Sequence, residues 1–361
     1  MGISELYSIT IPRWFDRHLH LRDGDLLRTV LPSTLQQRAT GAVVMGNLKH
    51  PTETSTIVNA IAYRDRIMAA LPEGSDFTPC MTCYLTDGIT PEEVVRGFRG
   101  GAWRAVKLYM ADQNGQGGTT GSQHGVRNLP GRYKVFEAME REGIPLLGHF
   151  EAVEKGVDEF DREAVSLDRD LLPILLKFPK LKVVVEHVTD WRMAQLVKSA
   201  SYDNLRATVT AHHLMLTRND MFWGGMNPGY YCKPVPKREI HRQQLRQIVT
   251  SGNPRFGAGT DSAPHDVSVK SQCYGCAAGI FTAHTAVELY MQVFDEERKT
   301  EHLGAFLSEN FLDYYGMEVS REMMTLVREP AVVPRKIGPV EVFRGGEKLP
   351  WSILPTRIAK E

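Results

Sequence analysis

Two histidines lie two positions apart near the start of the chain, in the segment 16–22 (DRHLHLR). If this segment is a β-strand, His18 and His20 project to the same side, because side chains alternate between the faces of a strand. Asp16 and Arg22 share that parity. Two adjacent imidazoles can hold one metal ion, although a His-x-His pair by itself fits two polar residues on a half-exposed strand equally well.

Two further histidines occupy matching places later in the chain. His149 ends the apolar run 145–149 (PLLGH), and His187 ends the run 183–187 (VVVEH). A single histidine in such a place is more often a core residue whose ring nitrogens are hydrogen-bonded. Two of them, each at the end of one of two successive strands, favour a shared site.

An aspartate follows the last strand-like run, in the segment 257–265 (GAGTDSAPH). The small residues around Asp261 allow other groups to approach closely. The carboxylate could ligate a metal ion, or it could cap the helix that follows.

Lys107 lies inside the apolar run 103–110 (WRAVKLYM). Burial disfavours the ammonium form and lowers the pKa of a lysine from its ordinary value of about 10.4. A neutral amine can react with carbon dioxide, and the resulting carbamate has two oxygens that can bridge two metal ions. The alternative is a lysine that extends to the rim of the fold, and the residues alone do not decide between these two interpretations.

Together these positions supply four histidines, one lysine and one aspartate. Imidazole and carboxylate ligands suit zinc, with manganese or cobalt as alternatives. Two such ions about 3.5–4 Å apart could share a hydroxide and polarise a carbonyl group.

The elements that must position these residues are short apolar runs alternating with helical patterns. The segment 90–93 (TPEE) is typical of a helix start, with a hydroxyl cap, a proline in the first turn and a glutamate three residues on. Alternation of strand and helix predicts parallel strands joined by crossover helices. About eight units favour an α/β fold of the (β/α)8 TIM-like barrel type, formed by residues 1–361 as a single domain, over a doubly wound open sheet. The predicted strands are 17–21, 42–45, 78–85, 105–110, 145–149, 182–187, 205–212 and 255–260, and further predicted helices are 132–142, 191–200 and 238–249.

A polar, glycine-rich segment at about 111–125 follows the fourth predicted strand. It is too long for a tight turn. Loops of this kind are often lids or binding loops, and the alternative is a disordered surface excursion.

Composition excludes several classes of protein. The 43 basic residues (Lys and Arg) balance 43 acidic ones (Asp and Glu), so the chain has no field that would gather nucleic acid or a membrane surface. No apolar run approaches the roughly 18 residues of a membrane-spanning helix, and the first residues do not resemble a secretory signal. Five cysteines do not indicate a disulfide framework in a chain of this size. The expectation is a cytoplasmic enzyme acting on a small molecule.

Five motifs carry a family resemblance, and their order along the chain is as specific as their residues. They are HLHLRDGD at 18–25, MTCYLTD at 81–87, AVKLY at 105–109, EH at 186–187 and GTDSAPH at 259–265. With these motifs the chain resembles the amidohydrolase superfamily, and within it the single-domain bacterial and yeast type of dihydroorotase. The similarity extends from Phe15 to about Trp351.

The resemblance implies a binuclear zinc site with two Zn²⁺ ions per chain. His18, His20 and Asp261 would bind the more buried ion, and His149 with His187 the other. Lys107, N6-carboxylated, would bridge the pair. Asp261 would also carry a proton from a bridging water to the leaving ring nitrogen, or in reverse during cyclisation.

The resemblance also implies substrate contacts. Arg22, Asn47 and His265 would hold the substrate carboxylate, a task that suits a planar guanidinium. Backbone groups near Lys233 and Ala278 would contact the ring, with Ala277 as an alternative register for the second contact. His20 and His149 would touch the substrate as well as a metal ion. Thr119 and Thr120 match the tip of the family's mobile lid. The resemblance also implies a homodimer.

Four features depart from the family pattern. Gly46 replaces a usual proline, Phe150 a usual glycine and Lys233 an apolar residue. The loop before Thr119 is longer by about five residues, the excess being polar and glycine-rich. None of the four is a predicted metal ligand, so the reaction is expected to be retained.

Alternative interpretations remain at this point. A dihydropyrimidinase, hydantoinase or allantoinase would use similar metal ligands on a ring without the same carboxylate. A barrel without activity would be expected to lack some ligands, and all six are present. Two Cys-x-x-Cys pairs, 80–83 and 273–276, could form a zinc site, but this is not favoured because Cys80 and Cys83 would face opposite sides of a strand. His212 and His213 are expected to pack or hydrogen-bond rather than react.

Overall fold

The computed structural model describes residues 7–50, 52–112, 123–272 and 274–355. Eight parallel strands form one sheet in which each strand pairs with the next along the chain. This sequential order confirms the predicted barrel, and the doubly wound alternative is wrong, since that fold needs a reversal of strand order. The strands are β1 (Phe15–Leu19), β2 (Gly41–Val44), β3 (Thr78–Tyr84), β4 (Ala105–Tyr109), β5 (Leu146–His149), β6 (Val183–Val185), β7 (Leu205–Val209) and β8 (Phe256–Ala258).

The first and last strands meet to close the barrel. Leu19 forms a parallel bridge with Ser262, just beyond β8. The buried Asp16 carboxylate accepts hydrogen bonds from the Thr260 backbone N–H at 2.9 Å and from the Thr260 hydroxyl at 2.6 Å. These bonds fix the ends of β1 and β8 side by side, so residues that follow each strand share one mouth.

Helices alternate with the strands and cover the outside of the barrel. The predicted start at Thr90 is confirmed, because its hydroxyl accepts a hydrogen bond from the Glu93 N–H at 3.2 Å. The helices are α1 (Gly24–Gln36), α2 (Ile57–Ala70), α3 (Pro91–Arg99), α4 (Tyr133–Glu142), α5 (Arg162–Ser166), α6 (Leu172–Lys177), α7 (Trp191–Lys198), α8 (Ala211–Met215), α9 (Glu239–Val249), α10 (Val267–Lys270) and α11 (Ala286–Glu296). Shorter 3₁₀ or π turns are Pro130–Arg132, Leu167–Leu171, Arg218–Met221, Pro228–Tyr230, Thr300–His302, Ala305–Glu309 and Leu312–Tyr315.

Two apolar clusters separate the inside of the barrel from its outside. The inner cluster draws one or two residues from each of β1 to β6 or the residue that follows, and aromatic residues at 311–315 pack against it. The outer cluster lies between strands and helices. Cys80 belongs to the inner cluster and Cys83 to the outer one, which confirms that they face opposite sides and cannot ligate the same ion. Cys273 lies outside the described residues.

Short antiparallel strands stand apart from the barrel. Ser8–Pro12, Met323–Val327 and Ser352–Ile353 form a three-stranded sheet, Ala331–Val332 pairs with Lys348–Leu349, and Lys336–Ile337 pairs with Val340–Glu341. The sequence did not predict these strands. The assignment of the whole chain to one domain stays a prediction. Most of the proposed lid, residues 113–122, lies outside the described residues. In the described part of the chain, no helix combines the length and hydrophobicity needed to cross a bilayer.

Candidate metal centre and active site

A cavity opens at the carboxyl ends of the barrel strands, where catalytic groups of such barrels lie. Nine of the predicted site residues line this cavity, and Lys107 and His265 are not part of its lining. The residues that line it are His18, His20, Arg22, Asn47, Tyr109, His149, His187, Lys233, Asp261, Ala263, Ala278 and Gly279.

His18, His20 and Asp261 converge on one side of this cavity. Asp261 Oδ1 lies 3.3 Å from His18 Nε2 and 3.1 Å from His20 Nε2, so the two histidines do project to the same side. One ligand atom from each residue falls within 4.8 Å of the other two. Burial alone would raise the pKa of Asp261, but the adjacent His18 charge and the hydrogen bonds from both imidazoles hold it well below the ordinary value.

His149 and His187 complete a ring of imidazoles. Their ring centroids are 4.4 Å apart, and the centroids of His187 and His18 are 5.1 Å apart. Burial lowers the pKa of His187 well below its ordinary value, which keeps the ring neutral and able to donate a lone pair. Its Nδ1 is buried and has no hydrogen-bond partner among the described residues.

Lys107 is fully buried, with 0% of its surface exposed. Its Nζ has no hydrogen-bond partner in the described part of the chain and lies 4.8 Å from the Tyr109 ring centroid. Burial lowers the pKa of Lys107 to about 8, against the opposing pull of Glu186 and Asp261. The alternative of a lysine that reaches the rim is therefore wrong, and the side chain has the environment that amine carboxylation requires.

Two buried glutamates orient His18 and His149 by bonding one ring nitrogen of each. Neither glutamate was a predicted site residue. Glu186 contacts His18 Nδ1 and accepts a hydrogen bond from the Thr208 hydroxyl at 2.9 Å. Glu151 Oε2 lies 2.6 Å from His149 Nε2. A carboxylate bonded to one imidazole nitrogen fixes the tautomer and leaves the other nitrogen for a metal. The signal was present, since Glu151 follows His149 by two residues and Glu186 immediately precedes His187.

Backbone strain marks the same mouth. Arg22, His187 and Asp261 have φ values of 58°, 39° and 43° in the left-handed region, which non-glycine residues rarely adopt. Such conformations persist only where surrounding contacts enforce them, and they cluster at functional sites. Each of these three residues lies just beyond the end of a barrel strand, where the left-handed backbone sets the direction of its side chain.

Two members of the predicted carboxylate clamp, Arg22 and Asn47, line the cavity, and the third, His265, contacts Arg22. Arg22 Nε donates a hydrogen bond to the Pro264 carbonyl at 3.0 Å, and its Nη2 lies 3.0 Å from His265 Nε2. Burial and the neighbouring Arg22 charge lower the pKa of His265 to about 3, so this imidazole is neutral. The half-buried Asn47 lines the same cavity. Arg22 and Asn47 thus offer a cation and a neutral amide to the cavity.

The residues of the predicted backbone contacts, Lys233 and Ala278, also line the cavity. Lys233 faces the cavity, and its Nζ lies 3.1 Å from Glu159 Oε1. Ala278 lines the cavity, whereas the structure does not place Ala277 in that lining. Thr119 and Thr120 lie outside the described residues, so their role stays a prediction.

Packing accounts for two of the departures from the family pattern. A Cβ atom at Gly46 would overlap the Thr54 hydroxyl, so proline does not fit there. A Cβ atom at Gly148 would overlap the Phe150 ring, so the larger residue after His149 requires the small one before it.

We expect Gly148→Ala to lower the free energy of unfolding by about 1–3 kcal/mol, because the added methyl group must displace a buried ring. In a Phe150→Ala background the same change should cost close to nothing. Denaturant unfolding of the four proteins of this double-mutant cycle measures the difference, with Gly156→Ala as a control where nothing lies within 4 Å of the added atom. Equal costs in both backgrounds would contradict the proposed packing.

A second cluster of potential ligands lies beside the site. His212, His213 and Cys232 are buried, with ligand atoms within 4.8 Å of one another. The His213 ring already has partners, the Thr210 hydroxyl at 2.7 Å and the Pro234 carbonyl at 2.8 Å. This agrees with the hydrogen-bonding role expected for His213, and the role of His212 stays a prediction.

Comparison with known proteins places the chain among relatives that share both its length and its fold. A dihydroorotase of Synechococcus sp. (strain CC9605) is 46% identical over 351 residues, which are 97% of either chain. The structure of dihydroorotase from Saccharomyces cerevisiae in complex with 5-fluoroorotic acid superposes with a TM-score of 0.87 at 30% identity, covering 96% of this chain and 98% of the yeast one. Dihydroorotase from Campylobacter jejuni gives 0.85 at 30% identity, covering 98% and 99%. A comparison with models of protein families gave no match.

A parallel barrel that gathers histidines, a lysine and an aspartate at its carboxyl mouth defines the amidohydrolase class, whose members are generally metal-dependent. The chain belongs to the dihydroorotase family and is a hydrolase acting on a cyclic amide C–N bond.

Proposed function

We propose that the protein catalyses the reversible cyclisation of N-carbamoyl-L-aspartate to L-dihydroorotate and water, a step of de novo pyrimidine biosynthesis, at a binuclear zinc site. The observation that carries this proposal is that five potential ligands line one cavity with Arg22, while the buried Lys107 is close enough to interact electrostatically with Asp261. Other cyclic amidohydrolases would have less use for the predicted carboxylate clamp to which Arg22 belongs.

The donor set fits zinc. The cavity joins four imidazoles and a carboxylate, and the buried Lys107 amine and His187 Nδ1 have no protein partner among the described residues. His18, His20 and Asp261 would hold one ion, His149 and His187 the other, and Lys107 as a carbamate would bridge them. When bound, two zinc ions would lower the pKa of a water between them and polarise the amide carbonyl.

Asp261 has the location of a proton carrier. In hydrolysis the carboxylate would accept a proton from the attacking water as the new C–O bond forms, and would deliver it to the ring nitrogen as the C–N bond breaks. The low pKa of Asp261 supports the base form at the start of this sequence. Cyclisation is the same sequence in reverse.

Substrate recognition would use the residues around the cavity. Arg22, Asn47 and His265 would hold the carboxylate, backbone groups near Lys233 and Ala278 would contact the ring, and His20 and His149 would lie against the reacting centre. The yeast relative supports this assignment, because its ligand, 5-fluoroorotic acid, is a pyrimidine bearing a carboxylate. The same proposal includes a lid that carries Thr119 and Thr120, a single domain, a homodimer and a cytoplasmic location.

A substrate panel tests the proposal directly. Zinc-loaded protein is assayed in parallel with L-dihydroorotate, dihydrouracil, hydantoin and allantoin. We expect L-dihydroorotate to have the highest kcat/KM. Faster turnover of dihydrouracil than of L-dihydroorotate would overturn the assignment.

Arg22→Met should raise KM for L-dihydroorotate by about 10²-fold, because two charge-assisted hydrogen bonds to the carboxylate are lost. Turnover of substrates without a carboxylate should change little. Arg28→Met is the matched control, since the Arg28 side chain is 66% exposed away from the cavity. If Arg22→Met leaves KM for L-dihydroorotate unchanged, Arg22 does not hold the carboxylate.

A further inference from the structure

Lys270 is a buried cation that the proposed mechanism does not use. It ends α10, and only 5% of its surface is exposed. Among the described residues no carboxylate lies within ion-pair distance of its ammonium group. A buried ammonium is costly unless its protons find acceptors, so the contacts that it does make indicate its role.

Those contacts are two backbone carbonyl groups from different loops. Lys270 Nζ donates to the Tyr231 carbonyl at 2.6 Å and to the Ala277 carbonyl at 3.1 Å. The Tyr231 carbonyl also accepts the Gly279 N–H at 3.0 Å. Lys270 therefore ties the segment at 231–233 to the segment at 277–279.

Both segments line the cavity beside the metal centre, through Lys233 on one and through Ala278 and Gly279 on the other. A trans peptide is planar, with its N–H antiparallel to its C=O, so a bond that fixes the Ala277 carbonyl also fixes the direction of the Ala278 N–H. In the described part of the chain the Ala278 N–H bonds no protein acceptor, although Ala278 is only 7% exposed. A buried backbone donor without a partner is rare, and here it belongs to a residue of the cavity wall.

The other side of the same residue is fixed as well. The Ala278 carbonyl oxygen lies 2.9 Å from His265 Nε2, so the peptide groups before and after Ala278 are each tied to a side chain. Lys270 and His265 thus hold this short stretch from two directions. The ammonium adds rigidity that an apolar side chain of equal length would not supply.

We propose that Lys270 is a positioning residue for substrate binding: it joins the two backbone segments that form the ring-binding wall and fixes the Ala278 N–H as a donor to the substrate. The proposal rests on the proposed function, because it places the substrate ring against Lys233 and Ala278. Lys270 itself stays outside the cavity lining and acts through the loops that it connects.

The test compares wild type, Lys270→Met, Lys270→Arg and Lys270→Gln, with Lys336→Met as a control at an exposed lysine. Zinc per chain, melting temperature, kcat and KM for L-dihydroorotate are measured on each. Lys270→Met should raise KM by about 10-fold with kcat within about two-fold of wild type, because interactions made equally in the bound substrate and the transition state affect KM alone. Zinc content should not change, and Lys270→Arg, which keeps the charge and the donors, should recover most of the affinity.

Three results would overturn the role of Lys270. The first is a wild-type KM in Lys270→Met. The second is a fall in kcat at constant KM that follows the fraction of folded protein in Lys270→Met. The third is loss of zinc from Lys270→Met. If Lys270→Met does not fold, the KM of Lys270→Gln decides, and a wild-type value there overturns the proposal. Wild-type protein that fails to turn over L-dihydroorotate would instead defeat the proposed function, so the two failures are distinguishable.

Discussion

Replacement of Lys107 by Ala is expected to lower kcat/KM for L-dihydroorotate by about 10³-fold or more, because the ligand that would bridge both ions is lost. Lys107 is buried and its Nζ has no partner in the described part of the chain, so an ordinary structural ion pair does not explain its presence. Zinc per chain should fall as well. Steady-state kinetics and elemental analysis of the same preparations measure both effects.

Chemical rescue separates the carbamate hypothesis from a folding defect. The cavity left by Lys107→Ala could admit a small carboxylate, so acetate or formate should restore part of the activity in proportion to its concentration. The exposed Lys177→Ala serves as the matched control and should behave like wild type with and without added acid. A Lys107→Ala protein with unchanged turnover would refute a bridging role for this residue.

Asp261→Asn is expected to lower kcat by about 10³-fold, since the amide can neither accept the proton of the attacking water nor deliver it to the ring nitrogen. The change keeps the size of the side chain, so the melting temperature should shift far less than the activity. Measurement of kcat in both directions of the reaction is informative, because a shared proton carrier should affect both equally.

A nearby aspartate supplies the control for this experiment. Asp266 caps α10 by accepting a hydrogen bond from the Ser268 N–H at 2.8 Å, and asparagine caps helices about as well. Asp266→Asn should therefore keep both activity and stability. Normal turnover by Asp261→Asn would remove Asp261 from the proton-transfer role and leave it at most a metal ligand.

The barrel was predictable because its strands are buried on both faces and read as continuous apolar runs. All eight predicted runs contain an observed strand or overlap it, with ends that differ by a few residues, as at 182–187 against Val183–Val185. The six potential ligands were predictable for a related reason. Four of them, His20, His149, His187 and Asp261, are polar residues at or just beyond the ends of the strands, and His18 and Lys107 are polar residues within a strand.

Features that depend on tertiary contacts could not be predicted. Ser8–Pro12 pairs with Met323–Val327 across more than three hundred residues, and such short edge pairings leave no periodic pattern in the sequence. The left-handed backbone at His187 and Asp261 could not be predicted either, because Asp and His adopt it more often than most residues but still at only a small fraction of their positions. It follows from the contacts around the site.

The state of Lys107 was the main question that residues alone left open. A lysine in an apolar run can extend to the rim or stay buried, and the choice depends on where its strand ends relative to the barrel wall. In the structure the side chain stays inside, where Glu186 and Asp261 lie close enough to influence its pKa. The packing of Phe150 over Gly148 was similarly invisible, since each residue is unremarkable without the other.

A crystal structure of zinc-loaded protein, with anomalous diffraction recorded on both sides of the zinc absorption edge, would show whether the barrel mouth holds two zinc ions. We predict two anomalous peaks about 3.5–4 Å apart. They should lie among His18, His20, His149, His187 and Asp261, with continuous density joining Lys107 Nζ to a group between them. A map without zinc peaks at this mouth, or with an unmodified Lys107 that points away from such peaks, would contradict the proposed binuclear site.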